Sequence, residues 1–460
     1  MAEESRLTGR LRRFVQVGTG VGGFAARLAG ERLMGRPHEA GARAAELASA
    51  LGGMKGPIMK VAQILATIPD LVPPEYAAEL SKLQMHAPPM GPSFVRRRMK
   101  SELGADWQRR FASFEPSAAA AASLGQVHRA VHRDGRALAV KLQYPDMLSA
   151  VEADLAQLQV LFAVYRRLDS AIDPSEIGAE LSARLREELD YEREAAHMRL
   201  YRAALADRPE IRVPELVEEL STRRLLTMSW EEGDPLLAHK GDPLAARNEI
   251  AQALFRAWWA PFARLGVIHG DPHLGNYSVR HDGEAVVNLL DYGCIRIFPP
   301  RFVEGVVALY TALKTQDRDL AVHAYETWGF SGLSNELIDA LQIWADFIYG
   351  PLLDDRVRTI ADKVTPAEYG RREAFIVHQK LKTHGPVKVP REFVFMDRAA
   401  IGLGAVFLHL EARLNFHRLF EEALAEFDAK KVAARQKKAF AEARLTLPED
   451  VAAALAPRAK

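Results

Sequence analysis

The sequence of 460 residues predicts an α+β protein in which a small part with strands precedes a larger, mainly helical part. Two apolar runs, 130–133 and 137–142, flank Asp134 and Gly135, and this dipeptide is typical of a tight turn between paired strands. From about Pro243 onward, apolar residues recur at helical spacing, apart from one strand–loop–strand block at 269–297. A chain of this length can bury one large core or two smaller ones.

Three regions follow from these patterns. We expect a helical N-terminal extension at 1–112, a region with strands at 113–232, and a mainly helical region at 233–460 with extra C-terminal helices. The alanine-rich run at 116–128 reads as a helix by periodicity, whereas its position one hairpin before the strand at 137–142 favours a loop. The remaining elements are helices at about 148–168 and 176–205, strands at 212–217, 224–228, 277–280 and 285–290, and a solvated helix at 421–444.

The composition limits which binding partners and which cellular compartment we expect for this chain. The net charge of +1 gives no reason to expect a nucleic-acid partner, and the single cysteine excludes an intrachain disulfide. No apolar run reaches the roughly 18 residues of a spanning helix, and no signal peptide is recognised at the N-terminus. Residues 1–36 hold seven arginines and three glutamates, +7 − 3 = +4. This basic segment fits either an anionic membrane surface or its own domain, so we expect a cytoplasmic protein and leave peripheral contact with the inner membrane open.

One constellation of polar residues points to phosphoryl transfer. Residues 269–276 read HGDPHLGN, so Asn276 follows Asp271 by five positions, and Asp291 follows Asn276 by fifteen (291 − 276 = 15) after an apolar strand. Phosphoryl transfer requires an aspartate that orients the nucleophile, and an asparagine and a second aspartate that hold Mg²⁺. We therefore predict that Asp271 is catalytic and that Asn276 and Asp291 are metal ligands.

An upstream lysine completes this set. Lys141 ends the run Leu-Ala-Val-Lys, which is typical of the strand lysine that pairs with the phosphates of ATP. The alternative for a lone strand lysine is a surface charge. Several carboxylates at 187–194 could partner this lysine, and spacing does not choose among them. His269 and His273 bracket Asp271, but Pro272 argues against the helix that a zinc site would need, so they are expected to orient the loop.

Together these motifs resemble the UbiB/AarF family of atypical kinase-like proteins, over about residues 50–300. The resemblance rests on five motifs in the same order. They are a KxGQ-like motif with Lys60 and Gln63, an alanine-rich loop with Ala120, Ala121, Ala122 and Ser123, the strand of Lys141, an ExD-like motif with Glu188 and Asp190 followed by Glu194, and the 269–276 loop with Asp291.

The resemblance implies a bilobal protein-kinase-like fold, with a β-containing N-lobe at 113–232 and a mainly helical C-lobe at 233–460. It implies that ATP and Mg²⁺ are cofactors, that Glu194 partners Lys141, and that Lys60 pairs with Glu188 over the nucleotide site and blocks peptide substrates. It also implies an ATPase or phosphotransferase that supports quinone or lipid metabolism such as ubiquinone biosynthesis. Besides ATP and ADP, the resemblance implies three further partners: quinone precursors, lipid and the membrane surface. The oligomeric state stays open.

The sequence departs from the family pattern at two positions, and it leaves alternatives. Ala62 stands where the family has glycine, and Leu274 stands where it usually has proline. A phosphotransferase for a protein or a small molecule, and a nucleotide-binding lipid scaffold without catalysis, are the competing hypotheses. A GxGxxG match at 18–23 suggests NAD binding, but the Ala-rich sequence around 36–39 lacks the second strand that such a unit needs.

Overall fold

A computed structural model describes residues 90–122, 124–145, 147–152, 155, 185–281, 283–366, 368–384, 391–425 and 427–447. They belong to two compact units. The first holds the described residues up to Glu192 and Val217–Ser229, and the second holds Arg193–Leu216 and the described residues from Trp230 onward. Lys60, Gln63, Ser123 and the GxGxxG match lie outside the described residues, as does most of the predicted extension. The three-region division stays a prediction.

The first unit is built on an antiparallel sheet. Its order is β1-β3-β4-β6, and β2 also pairs with β3. Gly135 has a φ of +92° in the turn between β3 and β4, which confirms the predicted hairpin. The elements are helix α1 Pro92–Leu103 and strands β1 Phe111–Phe114, β2 Ala120–Ala122, β3 Gly125–His132, β4 Ala137–Gln143 and β6 Leu225–Ser229.

Helix α1 covers this sheet with one apolar face. Val95, Met99 and Leu103 recur every four residues, so they line one side of the helix, and all three are buried. They share a core cluster with alternate residues of β4, Leu138 and Val140 among them. This core explains why β4, the strand of Lys141, is held rigidly.

The alanine-rich run does not form the helix that its periodicity predicts, and residues 116–119 lie outside any helix or strand. Residues Ala120–Ala122 form strand β2, whose residues pair with Gly125, Gln126 and Val127 of β3. The Ala119 N–H also donates to the Val127 carbonyl at 2.8 Å. Backbone pairing to β3 therefore overrides the helical propensity of alanine, because an adjacent strand edge satisfies every second peptide group.

The second unit contains two small sheets and most of the helices. A four-stranded sheet has the order β5-β10-β9-β7, in which only the β5–β10 pair is parallel, and β8 pairs antiparallel with β11. The predicted strands at 277–280 and 285–290 are thus confirmed. The strands are β5 Ile211–Arg212, β7 Asp234–Pro235, β8 Val267–His269, β9 Tyr277–His281, β10 Ala285–Leu289 and β11 Ile295–Ile297.

The helices of the second unit confirm the mainly helical prediction from Pro243 onward. None of the helices in the described ranges is long and apolar enough to cross a membrane. The first two residues of helix α2, Tyr191 and Glu192, belong to the first unit. The helices are α2 Tyr191–Ala204, α3 Leu244–Leu265, α4 Pro300–Thr315, α5 Arg318–Trp328, α6 Asn335–Leu353, α7 Arg371–His384, α8 Arg391–His409, α9 Phe416–Leu424 and α10 Ala429–Glu442.

Two predicted helices are corrected by the structure. The helix predicted at 176–205 is interrupted in its described part, where a turn at 188–189 precedes α2. The Asp190 carboxylate accepts the Glu192 N–H at 3.1 Å, as a residue does at a helix N-terminus. The solvated helix predicted at 421–444 is instead two helices, and Gln436 of α10 is buried and donates to the carbonyls of Leu265 and Phe298.

Gly266 sets the start of strand β8. It has a φ of +59° and ends α3, with its N–H donating to the Phe262 carbonyl at 2.8 Å. A Cβ at this position would meet the Phe298 carbonyl oxygen and the Gln436 amide. Only glycine fits, so this residue fixes the direction in which the chain enters the 269–276 loop.

Gly305 of α4 provides a test of helix packing. A Cβ there would overlap the Trp328 indole, which donates through Nε1 to the Phe302 carbonyl at 3.0 Å. We expect Gly305→Ala to destabilise the protein by about 1–3 kcal/mol, because the overlap outweighs the helix propensity of alanine. Chemical denaturation measures this. Gly241→Ala, which has open space around its Cβ, is the control and should stay within about 0.5 kcal/mol of wild type; equal stability of both variants would contradict the packing.

Candidate active site

The loop at 269–276 connects two strands of different sheets. It begins where β8 ends, at His269, and closes with a single helical turn, Leu274–Asn276, before β9. The Asn276 side-chain Nδ2 donates to the Asp271 carbonyl at 3.0 Å. Within the turn, His273 Nδ1 accepts the Gly275 N–H at 3.1 Å. Asp271 and Asn276 are thus held in one compact loop, and His273 orients it as predicted.

His269 joins this loop to the segment that carries Asp291. Its Nδ1 accepts the Asp271 N–H at 3.2 Å, so the ring proton lies on Nε2. That Nε2 donates to the Asp291 carbonyl at 2.6 Å. One buried imidazole therefore fixes the backbone of both aspartates, and the prediction that this histidine orients the loop is confirmed.

Two side chains of helix α2 hold the backbone of the Asp291-Tyr292-Gly293 segment. The Tyr292 N–H donates to Glu194 Oε1 at 3.4 Å, and the Tyr292 carbonyl accepts from His197 Nδ1 at 2.9 Å. The Gly293 N–H donates to Asp291 Oδ1 at 2.9 Å, which orients the carboxylate from its own loop. Glu194 and His197 lie three positions apart, on one face of the helix.

The Tyr292 side chain anchors the segment further. Its hydroxyl donates to the Leu289 carbonyl at 2.9 Å, and its ring packs edge-to-face on Tyr201 of α2 with centroids 5.8 Å apart. Burial is the main reason why the pKa of Tyr292 lies well above its usual range, so the hydroxyl stays a donor. The segment cannot shift without breaking this buried contact.

In the first unit, Lys141 lies on β4 and is 5% exposed. Its Nζ is 5.2 Å from the centre of the Tyr191 ring, within range of a cation–π interaction. Two positions along the strand, Gln143 donates through Nε2 to the Leu189 carbonyl at 3.1 Å. This bond ties the lysine strand to the 188–189 turn of the ExD-like motif. Glu188 is buried there, and Asp190 starts helix α2.

The predicted site residues therefore fall into two groups. In the second unit, one hydrogen-bonded cluster joins Asp271, Asn276, Asp291 and Glu194. The first unit holds the lysine, the ExD-like motif and the exposed Ala120 and Ala121 of β2, with Ala122 half-buried. Sequence reasoning missed His197. Its position three residues after Glu194 could have indicated it, because such a pair shares a helix face.

The donors in the second unit fit Mg²⁺ chemistry. Asn276 and Asp291 offer oxygen ligands, and Mg²⁺ in phosphoryl-transfer sites takes one or two carboxylates and completes its shell with phosphate and water oxygens. Across the ranges that the structure describes, no group of three or more histidine, cysteine, aspartate or glutamate residues is arranged to hold a metal ion. Two donors of this kind leave coordination positions that the phosphate and water oxygens of a nucleotide-bound ion can fill.

The fold and the site together define a kinase-like protein. The ABC1 atypical kinase-like domain matches residues 82–325, somewhat more than half of the chain. The chain belongs to this family, and the UbiB/AarF resemblance is confirmed.

Curated relatives agree with this family. The chain is 28% identical over 410 residues to the mitochondrial atypical kinase coq-8 of Caenorhabditis elegans, with 87% of this chain and 53% of that protein covered. It is 30% identical over 311 residues to the mitochondrial atypical kinase COQ8B of Rattus norvegicus, with 67% and 59% covered. The chain spans between half and three-fifths of the length of these relatives.

A solved structure supports the fold. The Mycobacterium tuberculosis protein Rv3197, determined as a complex with erythromycin, superposes with a TM-score of 0.57 at 29% identity. The superposition covers 81% of this chain and 93% of that protein. The kinase-like fold class predicted from the sequence is therefore confirmed.

Proposed function

We propose that this chain binds Mg·ATP and catalyses hydrolysis or transfer of its γ-phosphoryl group. The observation that carries the proposal is the cluster in the second unit, where His269 holds the backbones of Asp271 and Asp291 and Asn276 bonds to the same loop. A phosphoryl-transfer enzyme depends mainly on such fixed positioning of charged groups, because the protein supplies little covalent chemistry.

Each residue then has a proposed role. The Asp271 carboxylate orients the attacking hydroxyl or water, while Asn276 and Asp291 supply oxygen ligands to Mg²⁺. When bound, the ion neutralises the charge of the phosphate oxygens. On this proposal Lys141 of strand β4 pairs with the phosphates of ATP. The family resemblance also assigns nucleotide binding to Lys60, Gln63, Glu188, Asp190 and residues 120–123.

The biological setting of the proposal comes from the relatives. Two of them are named mitochondrial atypical kinases of the COQ8 type, which favours a role in quinone or lipid metabolism such as ubiquinone biosynthesis. On this proposal the chain acts at a membrane surface, on or beside an isoprenoid quinone precursor or lipid. A phosphotransferase for proteins or metabolites is the alternative, and a non-catalytic nucleotide-binding scaffold is the third.

Incubation of the full chain with γ-labelled Mg·ATP, with and without anionic liposomes and cell extract, tests the proposal. Release of labelled phosphate that liposomes stimulate supports an ATPase at a membrane. Label in a protein or metabolite supports a transferase. Binding of Mg·ATP without turnover under any condition supports the scaffold, and absence of both binding and turnover contradicts the proposal.

A further inference from the structure

The second unit contains a cavity with largely aromatic walls. Helices α4, α5, α6 and α8 contribute most of its lining, and its volume is about 30 Å³. This is room for about two water molecules, or for a compact group of about two to four heavy atoms. Six of the rings that line it are Phe302, Tyr325, Trp328, Trp344, Tyr349 and Phe393.

A carboxylic acid lies in this aromatic wall. Asp397 of α8 lines the cavity, and its Oδ2 accepts the Trp344 indole N–H at 2.7 Å. Burial raises the pKa of Asp397 well above its ordinary range, which disfavours loss of its proton in this cavity. No lysine, arginine or histidine is among the described residues that line the cavity.

The other titratable groups in the cavity are tyrosines. Tyr325 and Tyr349 line it together with Asp397, and burial raises the pKa of both hydroxyls, so they stay protonated. The Tyr325 hydroxyl is buried and makes no hydrogen bond within the described structure. A ligand with an N–H group would find two acceptors here, the Asp397 carboxylate and this hydroxyl oxygen.

The lining of the cavity favours a positively charged ligand over a negatively charged one. An anion would meet an acid and no base. A small methylated ammonium is attracted to the faces of tryptophan, tyrosine and phenylalanine rings, and its methyl groups lower the cost of leaving water. We propose that this cavity binds a small methylated ammonium group, which takes the place of the proton on Asp397. The acid releases that proton to solvent, and the carboxylate pairs with the bound cation.

The helix that carries Asp397 also packs against the 269–276 loop. Helix α8, which carries Asp397, also carries Gly402 five residues further on, or about 7.5 Å along the axis. The Pro272 ring fills the place where a side chain at Gly402 would lie, and Pro272 follows Asp271. The wall of the cavity and the backing of the loop are therefore the same helix.

A titration of the full chain with trimethylammonium chloride, without nucleotide, tests the proposal. Trp328 and Trp344 line the cavity, so tryptophan fluorescence reports occupancy. We expect a saturable change whose affinity rises with pH, by at most about tenfold per pH unit, because binding releases a proton. Sodium chloride controls for salt, and isopropanol is the uncharged probe with the same number of heavy atoms. No saturable change, equal binding of isopropanol, or affinity that falls with rising pH would overturn the proposal.

Two variants separate the site from general effects. Asp397→Asn keeps an acceptor for the Trp344 indole and removes the charge, so trimethylammonium should bind at least about tenfold more weakly and without pH dependence. Ala400→Leu, which fills the cavity, should also abolish binding. Asp319→Asn, at an exposed aspartate of α5, is the control and should bind as wild type does. Unchanged binding in Asp397→Asn and Ala400→Leu would show that the probe binds elsewhere.

The protonated state of Asp397 has its own test. The unfolded chain releases this proton near pH 4, whereas the folded chain keeps it to a higher pH. The folded state binds more protons in that window, so its stability falls as pH rises until the folded pKa is passed. Asp397→Asn has no such proton, so its stability should not fall with pH for this reason. The ratio of its unfolding constant to that of wild type should therefore decrease by up to about tenfold per pH unit above pH 4. A ratio that does not change with pH would contradict a buried neutral acid.

Discussion

Asp291→Asn is expected to abolish the Mg²⁺-dependent binding of ATP while the protein stays folded. Asparagine keeps the oxygen that accepts the Gly293 N–H, so the loop retains its conformation. It loses the negative charge, and a hard cation such as Mg²⁺ depends on carboxylate charge for its affinity. We expect Mg·ATP to bind roughly a hundredfold more weakly or worse.

Thermal unfolding with saturating Mg·ATP measures this, because a ligand that binds only the folded state raises the midpoint. The midpoint without nucleotide should match that of wild type. Asp339→Asn, an exposed aspartate of α6, is the control and should retain the full nucleotide shift. If Mg·ATP raised the unfolding midpoint of Asp291→Asn as much as that of wild type, this would contradict the role of the carboxylate as a metal ligand.

His197→Leu has the second largest expected effect. Its Nδ1–H holds the Tyr292 carbonyl, and the adjacent residue is the proposed metal ligand. Loss of a residue that orients a metal ligand typically weakens metal affinity about 10–100-fold. We therefore expect the Mg²⁺ concentration that gives half-maximal nucleotide binding to rise by that factor. Nucleotide binding in the presence of EDTA should not change.

His197→Asn tests whether the hydrogen bond is responsible. The asparagine Nδ2 can occupy the position of the histidine Nδ1 and donate to the same carbonyl. We expect it to restore most of the Mg²⁺ affinity that His197→Leu loses. If both variants lose affinity equally, the imidazole acts through packing and not through its donor.

The sequence predicts which candidate site residues lie together better than it predicts the elements that hold them. The spacings of Asp271, Asn276 and Asp291 reflect a local loop and a hairpin, so they can be read from a linear chain. The Asp134-Gly135 turn is predictable for the same reason. By contrast, the contact of His197 with Tyr292 joins residues that are 95 positions apart. The spacing to Glu194 can indicate that His197 shares a helix face with it, but not that its partner is Tyr292.

Errors in the sequence reading have a common physical cause. The alanine-rich run has strong helical propensity, but it forms β2 because the β3 edge accepts its backbone. Helix periodicity continues through 188–190, but the Gln143 bond to the Leu189 carbonyl and the Asp190 cap stop the helix there. In each case a tertiary partner, invisible in a local window, overrides propensity.

Calorimetric titration of the full chain with ATP, in Mg²⁺ and again in EDTA, tests the central claim most directly. The cluster around His269 predicts saturable binding in Mg²⁺ and binding at least about tenfold weaker in EDTA, since Asn276 and Asp291 would then have no ion to hold. Equal affinity in the two buffers, or no binding in Mg²⁺, would contradict the account.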